Sequence, residues 1–368
     1  MLSTLILFPA LSALAFAQGS ATRRPSEILP PSFLRGGDVS EIPEVESAGT
    51  PYLYHGQPID PFVAMKQAGW NFVRFRVWNN PKQGWCDEAH TLALAKRATA
   101  QGLKISLDFH YSDWWADPQK QNKPAAWKEL PFDDLVKAVH DYTKEVLSAM
   151  VAQGTPPIMV QIGNEITPGM LWPDGRNDTP EGWHRLAQLI AAGCKAVKES
   201  SPRIKTMIHL DRGGDNRGAR GWFDHMKEEH LNFDLIGLSY YPWWHGPLDA
   251  LKANLDDLAN RYRKDVYVVE LGYPWKVGRG LTDGRKPEPG FPTSPEGQAE
   301  FIRRVMEITR EVPHGRGKGV LYWAPTWIGA KGRAGGYGNL ALFDADGNSL
   351  PGFDAMGGQK AVTAPANN

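Results

Sequence analysis

Two cysteines, Cys86 and Cys194, are all that the 368 residues contain. A disulfide framework of the kind that staples small secreted domains is therefore excluded, and the pair, placed in separate helical regions, reads as two free thiols. An excess of either charge is also missing: Lys+Arg 41 balances Asp+Glu 41. No basic field exists to collect nucleic acid, and no acidic tail suggests a cationic partner. Zinc spacing is absent too. His225 and His230 miss the i, i+4 geometry of a helical zinc pair, and their segment reads as a solvated helix face. No Gly-rich phosphate loop follows the first expected strand, which removes nucleotide binding. Past the N-terminus, no apolar run reaches the ~20 residues of a membrane span.

What is present is aromatic. The chain carries 14 Trp and 11 Tyr, many beside Asn, Asp, His or Pro in loop-like contexts, among them Trp78, Trp114, Trp115, Trp243, Trp244, Trp323 and Trp327. Flat apolar faces edged with hydrogen-bonding groups suit sugar rings, which have an apolar C–H face and a rim of hydroxyls. The first residues, MLSTLILFPALSALAFA, form an apolar stretch with an A-x-A-like cleavage site before Gln18, though without a basic residue at the start. Residues 1–17 are thus expected to be a signal peptide and the mature protein to be secreted or periplasmic. Residues 18–33, rich in Pro, Ser and Arg, read as a flexible lead-in, 34–355 as one catalytic domain, and 356–368 as a disordered tail.

Within the domain a pattern recurs. Short apolar or β-branched runs end in polar residues and are followed by helix-like stretches. Strands are predicted at 35–40, 72–78, 104–110, 158–164, 205–211, 234–241, 266–271 and 319–324. Helices are predicted over Thr91–Gln101, Pro131–Gln153, Trp183–Ser200, Leu248–Tyr262 and Pro295–Glu311. Alternating strands and helices imply parallel βαβ units, and eight of them suggest an α/β fold, a single (β/α)8 TIM barrel.

That fold places functional residues at the C-terminal ends of strands. Those ends read Asp38, Arg74, Arg76, Asp108, His110, Asn164, Glu165, His209, Asp211, Tyr240, Tyr241, Glu270 and Trp323. Two carboxylates stand out. Glu165 closes the fourth strand and Glu270 the seventh, so the two face each other across the mouth of an eight-fold barrel. Glycosidic cleavage needs two such groups, one to protonate the leaving oxygen and one to attack the anomeric carbon or activate water.

The segments RGGDVSEI (35–42), SLDFHYSDWWADPQKQNKPAAW (106–127), VQIGNEITPGMLWPDGR (160–176), DLIGLSYYPWW (234–244), VVELGYPW (268–275) and VLYWAPTW (320–327) carry a resemblance to glycoside hydrolase family 53, the arabinogalactan endo-β-1,4-galactanases. It runs in order from about residue 34 to about residue 350. The resemblance implies a retaining endo-hydrolase that acts on β-1,4-galactan, with Glu165 as proton donor and Glu270 as nucleophile. It implies substrate-binding roles at the mouth for Arg74, His110, Asn164, Asp211, Tyr241 and Trp323. Within that set, Arg74 supports the nucleophile, Asn164 holds the sugar 2-hydroxyl, and Trp323 forms an aromatic floor. Arg74 is expected to keep Glu270 ionised, and burial with Glu270 nearby to raise the pKa of Glu165.

The chain departs from the family pattern at Ala324, where a glutamate usually follows the last-strand tryptophan. No metal is expected and no cofactor required. Calcium, bound near this mouth in some relatives, stays open as the alternative, although Asp283 and Glu288 alone are too few for a site of six or more oxygens. The expected partner is the polysaccharide, with no nucleic acid or membrane, and the protein is expected to be a monomer. A mannanase or cellulase of the same clan is the alternative, because carboxylates and aromatics do not reveal which hydroxyl of the sugar is axial.

Overall fold

A computed structural model describes residues 29–277, 288–328 and 338–359. Eight parallel strands close into a barrel. They are β1 (Leu34–Asp38), β2 (Phe72–Val77), β3 (Lys104–Phe109), β4 (Met159–Ile162), β5 (Lys205–Leu210), β6 (Leu235–Tyr240), β7 (Asp265–Leu271) and β8 (Gly317–Tyr322). Each is followed by a helix: α1 (Pro61–Ala68), α2 (Glu88–Ala100), α3 (Phe132–Ala152), α4 (Pro180–Ser200), α5 (Asn216–Glu228), α6 (Leu248–Tyr262), α7 (Pro295–Arg310) and α8 (Pro351–Met356). Strands pair in chain order, and β8 returns to β1 through the register Leu34↔Gly319 to Gly37↔Tyr322.

All eight expected strands form, and no boundary moves by more than two residues. Several end earlier than expected because their last polar residues leave the ladder to build the mouth. Among these eight helices, α1 and α8 were not anticipated, and of α5 only the solvated face around His225 was. Helix α1 is short, but Asp60 caps it by accepting from the Phe62 and Val63 N–H groups, and Gly69 at φ 95 ends it. Helix α5 buries Ala219, Trp222, Phe223 and Met226 at i, i+3, i+4 and i+7 between polar neighbours that obscure the stripe. Helix α8 buries Phe353, Ala355 and Met356.

The side-chain period of two explains the interior. Leu34, Phe72, Met159, Met207, Leu235, Tyr267, Val269 and Leu321 plug the barrel. Counting on by twos from this plug leads upward to Arg74 and Arg76 on β2, Gln161 on β4, His209 and then Asp211 after β5, and Ser239 and then Tyr241 after β6. The apolar plug thus passes into a polar layer toward the C-terminal mouth. Each fully buried large side chain in the plug contributes about 1.5–3 kcal/mol.

Strand β7 departs from this count. Leu238 pairs with Val268, but Ser239 pairs with Glu270, so Val269 is an extra residue. Such a bulge re-aims a side chain. Val269 stays in the plug, and Glu270 also points inward, where it meets Arg74 and Tyr241.

Four expectations are corrected. Tyr240 is not in the polar ring: it falls on the outer face, stacks on Phe301 of α7 with centroids 6.2 Å apart, and donates to the Gly246 carbonyl at 2.9 Å. Cys86 is not helical but sits in a loop at φ 62; it and Cys194 are buried free thiols. The packed chain also runs past 355, since Met356 is fully buried and the Gly357 carbonyl accepts from Arg35 Nε at 2.9 Å. Before residue 34, Phe33 is buried as well. The expected signal peptide (1–17) and residues 360–368 of the expected tail lie outside the described residues.

Candidate active site

Glu165 follows β4 through the turn Gly163-Asn164-Glu165. Gly163 has φ 83, and a Cβ there would stand 2.5 Å from Ile166 Cγ2. Glu165 itself holds φ 49, a left-handed conformation that non-glycine residues seldom adopt. This turn lifts the Glu165 side chain into the mouth, where Ser239 Oγ donates to its Oε1 at 2.6 Å. Burial first, then the negative Glu270 and Asp211, push its carboxyl well above the ordinary glutamate range.

Glu270 is held differently. Arg74 donates to its Oε1 at 2.8 Å and the Tyr241 hydroxyl to its Oε2 at 2.9 Å. Burial raises this carboxyl too, while Arg74 and Tyr241 pull it back. The expectation that Arg74 favours the ionised form stands as a direction. Arg74 opposes the effect of burial without reversing it, whereas no cation is among the groups that act on Glu165. That difference in surroundings is the one a carboxylate and a carboxylic acid require.

Arg74 anchors this layer. It is 1% exposed and also donates to Asp38 Oδ2 and to Gln161 Oε1, both at 3.0 Å. Burial disfavours its charge, but Asp108, Asp38 and Glu270 outweigh that and keep it protonated. Arg76 binds Asp38 Oδ1 at 3.1 Å and lies 4.3 Å from the centre of the Trp115 ring. Burial, then Arg74, His110 and His245, hold His209 well below the usual histidine value, so it is neutral.

Both glutamates line one cavity of about 650 Å³ together with Trp115, Asn164, Asp211, Tyr241, Trp244, Trp323 and Trp327. Trp115 is stacked on Trp327 at 5.9 Å and lies 5.9 Å from Trp323. Of the residues grouped at the mouth by resemblance, Asn164, Asp211, Tyr241 and Trp323 reach the cavity wall. Arg74 and His110 are not among the cavity-lining residues: His110 is buried, and its Nδ1 accepts from the Ala116 N–H at 3.0 Å. Asn164 donates to the Ala116 carbonyl at 2.9 Å, and its buried Oδ1 has no hydrogen-bond partner among the described residues. Ala324 is fully buried at φ 48, so the departure there concerns loop packing rather than the cleft wall.

Sequence reasoning missed Gln161 and Ser239 as site residues, and it named Trp115 and Trp327 only among the aromatics suited to a sugar ring. The first two lie on the period-two count and could have been found by it.

Asp108, His209 and Glu270 bring three ligand-type atoms within 4.8 Å of one another. Both Glu270 oxygens are already bound by Arg74 and Tyr241, so the guanidinium fills the cationic position there. Of the two residues considered for calcium, one is already engaged. Glu288 Oε1 accepts from the Leu248 N–H at 3.2 Å, and Asp283 lies outside the described residues.

A parallel barrel with two unequal carboxyls facing one tryptophan-walled cleft defines a hydrolase of glycosidic bonds. The chain belongs to glycosyl hydrolase family 53, whose profile matches residues 34–356. It is 45% identical over 342 residues to an uncharacterized protein of Niallia circulans, covering 88% of this chain and 93% of that one. It is 36% identical to an arabinogalactan endo-β-1,4-galactanase of Thermothelomyces thermophilus, covering 86% of this chain and 96% of the other. The solved GH53 catalytic domain of Ignisphaera aggregans superposes with a TM-score of 0.82 at 36% identity, covering 90% of this chain and 99% of that one.

Proposed function

We propose that this enzyme cuts internal β-1,4-galactosidic linkages of galactan with retention of configuration. The observation that carries the reading is the unequal treatment of the two glutamates. Glu270 is clamped by Arg74 and Tyr241, while Glu165 receives, among the described residues, a single neutral donor, Ser239, and so suits the protonated form. In the first step the Glu270 carboxylate attacks the anomeric carbon, and Glu165 gives its proton to the departing glycosidic oxygen. In the second, Glu165 takes a proton from water, whose oxygen displaces Glu270 from the same carbon. Two displacements restore the starting configuration.

Both chemical roles are filled by carboxylates, so the reaction needs no cofactor or metal. The free Oδ1 of Asn164 is placed to accept from a sugar hydroxyl, and Trp323 and Trp115 offer faces for stacking. Galactan as the substrate is supported by the family and by the named activity of the Thermothelomyces relative. The apolar segment at residues 1–17 supports export, and a polymeric substrate fits a monomer acting outside the cytoplasm. Incubation with unbranched galactan, mannan and cellulose tests the reading. Short galacto-oligosaccharides should appear from galactan alone, and faster cutting of either other polymer would overturn it.

A further inference from the structure

The Oε1 atom of Glu165 accepts from Ser239 Oγ at 2.6 Å, and the same Oγ lies 2.8 Å from Nε2 of His209. Ser239 and His209 are each 0% exposed, on adjacent strands β6 and β5. A serine hydroxyl has one proton. Here it is given to Glu165, so Ser239 Oγ can meet His209 only as an acceptor. Nε2 of His209 must then carry a hydrogen, which leaves Nδ1 of a neutral ring bare. Among the described residues, Nδ1 has no hydrogen-bond partner. A bare acceptor tolerates that better than a buried N–H would.

We propose that Ser239 and His209 are positioning residues that confine the working proton of Glu165 to Oε2. The inference rests on the role of Glu165 as proton donor. Oε1 is occupied as an acceptor along the chain His209 Nε2–H → Ser239 O–H → Glu165 Oε1. A proton on Oε1 would have to break that chain or reverse both its members. Oε2 remains for the acid proton. In the first step the Oε2–H bond breaks as a bond forms from that proton to the leaving oxygen, which keeps the electron pair of the cleaved C–O bond. In the second step Oε2 takes a proton from water. Ser239 and His209 neither gain nor lose a proton in either step. Their work is to choose the oxygen.

Other charged groups surround the chain. Glu165 faces Glu270 from β7, Asp211 after β5 and Asp117 after β3. His209 faces Arg74 from β2, Asp108 and His110 from β3 and its end, His245 after β6 and Glu270 from β7. The positive Arg74 and the burial of the ring both keep His209 neutral, as the chain requires.

The test joins kinetics to a readout independent of activity. Ser239→Ala removes the donor that favours the ionised form of Glu165. The alkaline limb of kcat/KM should therefore move up by about one pH unit. Cleavage of galactan should fall by about 10- to 100-fold. Aryl β-galactosides whose leaving groups need no protonation should lose much less. Ser239→Thr, which keeps the hydroxyl, should restore both the limb and the leaving-group behaviour. In protein labelled with 15N-histidine, His209, assigned by its response to Ser239→Ala, should show a neutral ring protonated at Nε2 from about pH 5 to 8. An unmoved limb, an equal loss across leaving groups, an Nδ1–H tautomer or an imidazolium would each overturn the proposal. Failure of the parent enzyme to cut galactan would instead unseat the proposed function, and the tautomer would still decide whether the chain exists.

Discussion

Tyr241→Phe removes a hydrogen bond to the proposed nucleophile, Glu270. The hydroxyl donates to Glu270 Oε2 at 2.9 Å, while the ring packs 5.5 Å from Trp243 and 5.4 Å from Trp244. Phenylalanine keeps the packing and deletes only the donor. A hydrogen bond to a charged group contributes about 1.5–3 kcal/mol. At 1.36 kcal/mol per pKa unit, that corresponds to about one to two units. Arg74 stays at 2.8 Å and still holds Oε1, so the lower end, about one unit, is expected. The donor favours the ionised carboxyl, so its loss raises the pKa of Glu270. The nucleophile must be ionised, so the acidic limb of kcat/KM should move to higher pH by that amount. Below the limb the variant should lose about tenfold, and on the plateau less. Initial rates on galactan across pH, with thermal melting as a control for folding, give the measurement. An evenly reduced rate with the acidic limb in place would refute the reasoning, because the hydroxyl would then serve the substrate rather than Glu270.

The roles of the two glutamates separate on rescue with azide. Glu270→Ala should lose turnover and recover with azide to give an inverted product, whereas Glu165→Ala should still form the glycosyl-enzyme from activated substrates and give a retained azide product. The reverse pattern, read by NMR of the anomeric proton, would exchange the assignments. Stability should also respond to Glu165. Its folded pKa lies above the unfolded value of about 4.3, so the folded state holds the extra proton and stability falls as pH rises from there through the folded value. Glu165→Gln escapes this loss. The variant should melt higher than the parent at about pH 8 and converge with it below about pH 4.3, and parallel melting curves at all pH values would contradict the raised carboxyl.

Much of this architecture is legible one strand at a time, and the reason is geometric. A barrel strand displays an apolar run, then polar residues where it opens to the mouth, so both glutamates and most of the ring could be found by looking at strand ends. Alternation carries more than was taken from it. Inward facing for Ser239 and Tyr241 requires outward facing for Tyr240, and the same count puts Gln161 in the polar layer. The bulge at Val269 is another matter. No local signal in VYVVEL tells which residue is doubled, yet the extra residue turns Glu270 from the outer face to the inner. The division of labour between the two carboxyls is less local still. Both end apolar strands, and both line the same cavity. What differs is the set of donors brought to them by other strands. Arg74 from β2 and Tyr241 beyond β6 converge on Glu270, whereas Glu165 meets the neutral Ser239 and the field of Glu270 itself. Acid and nucleophile are thus properties of the closed barrel. Exchanging the charged clamp for the neutral donor, rather than exchanging the glutamates, is the change that would exchange their chemistry.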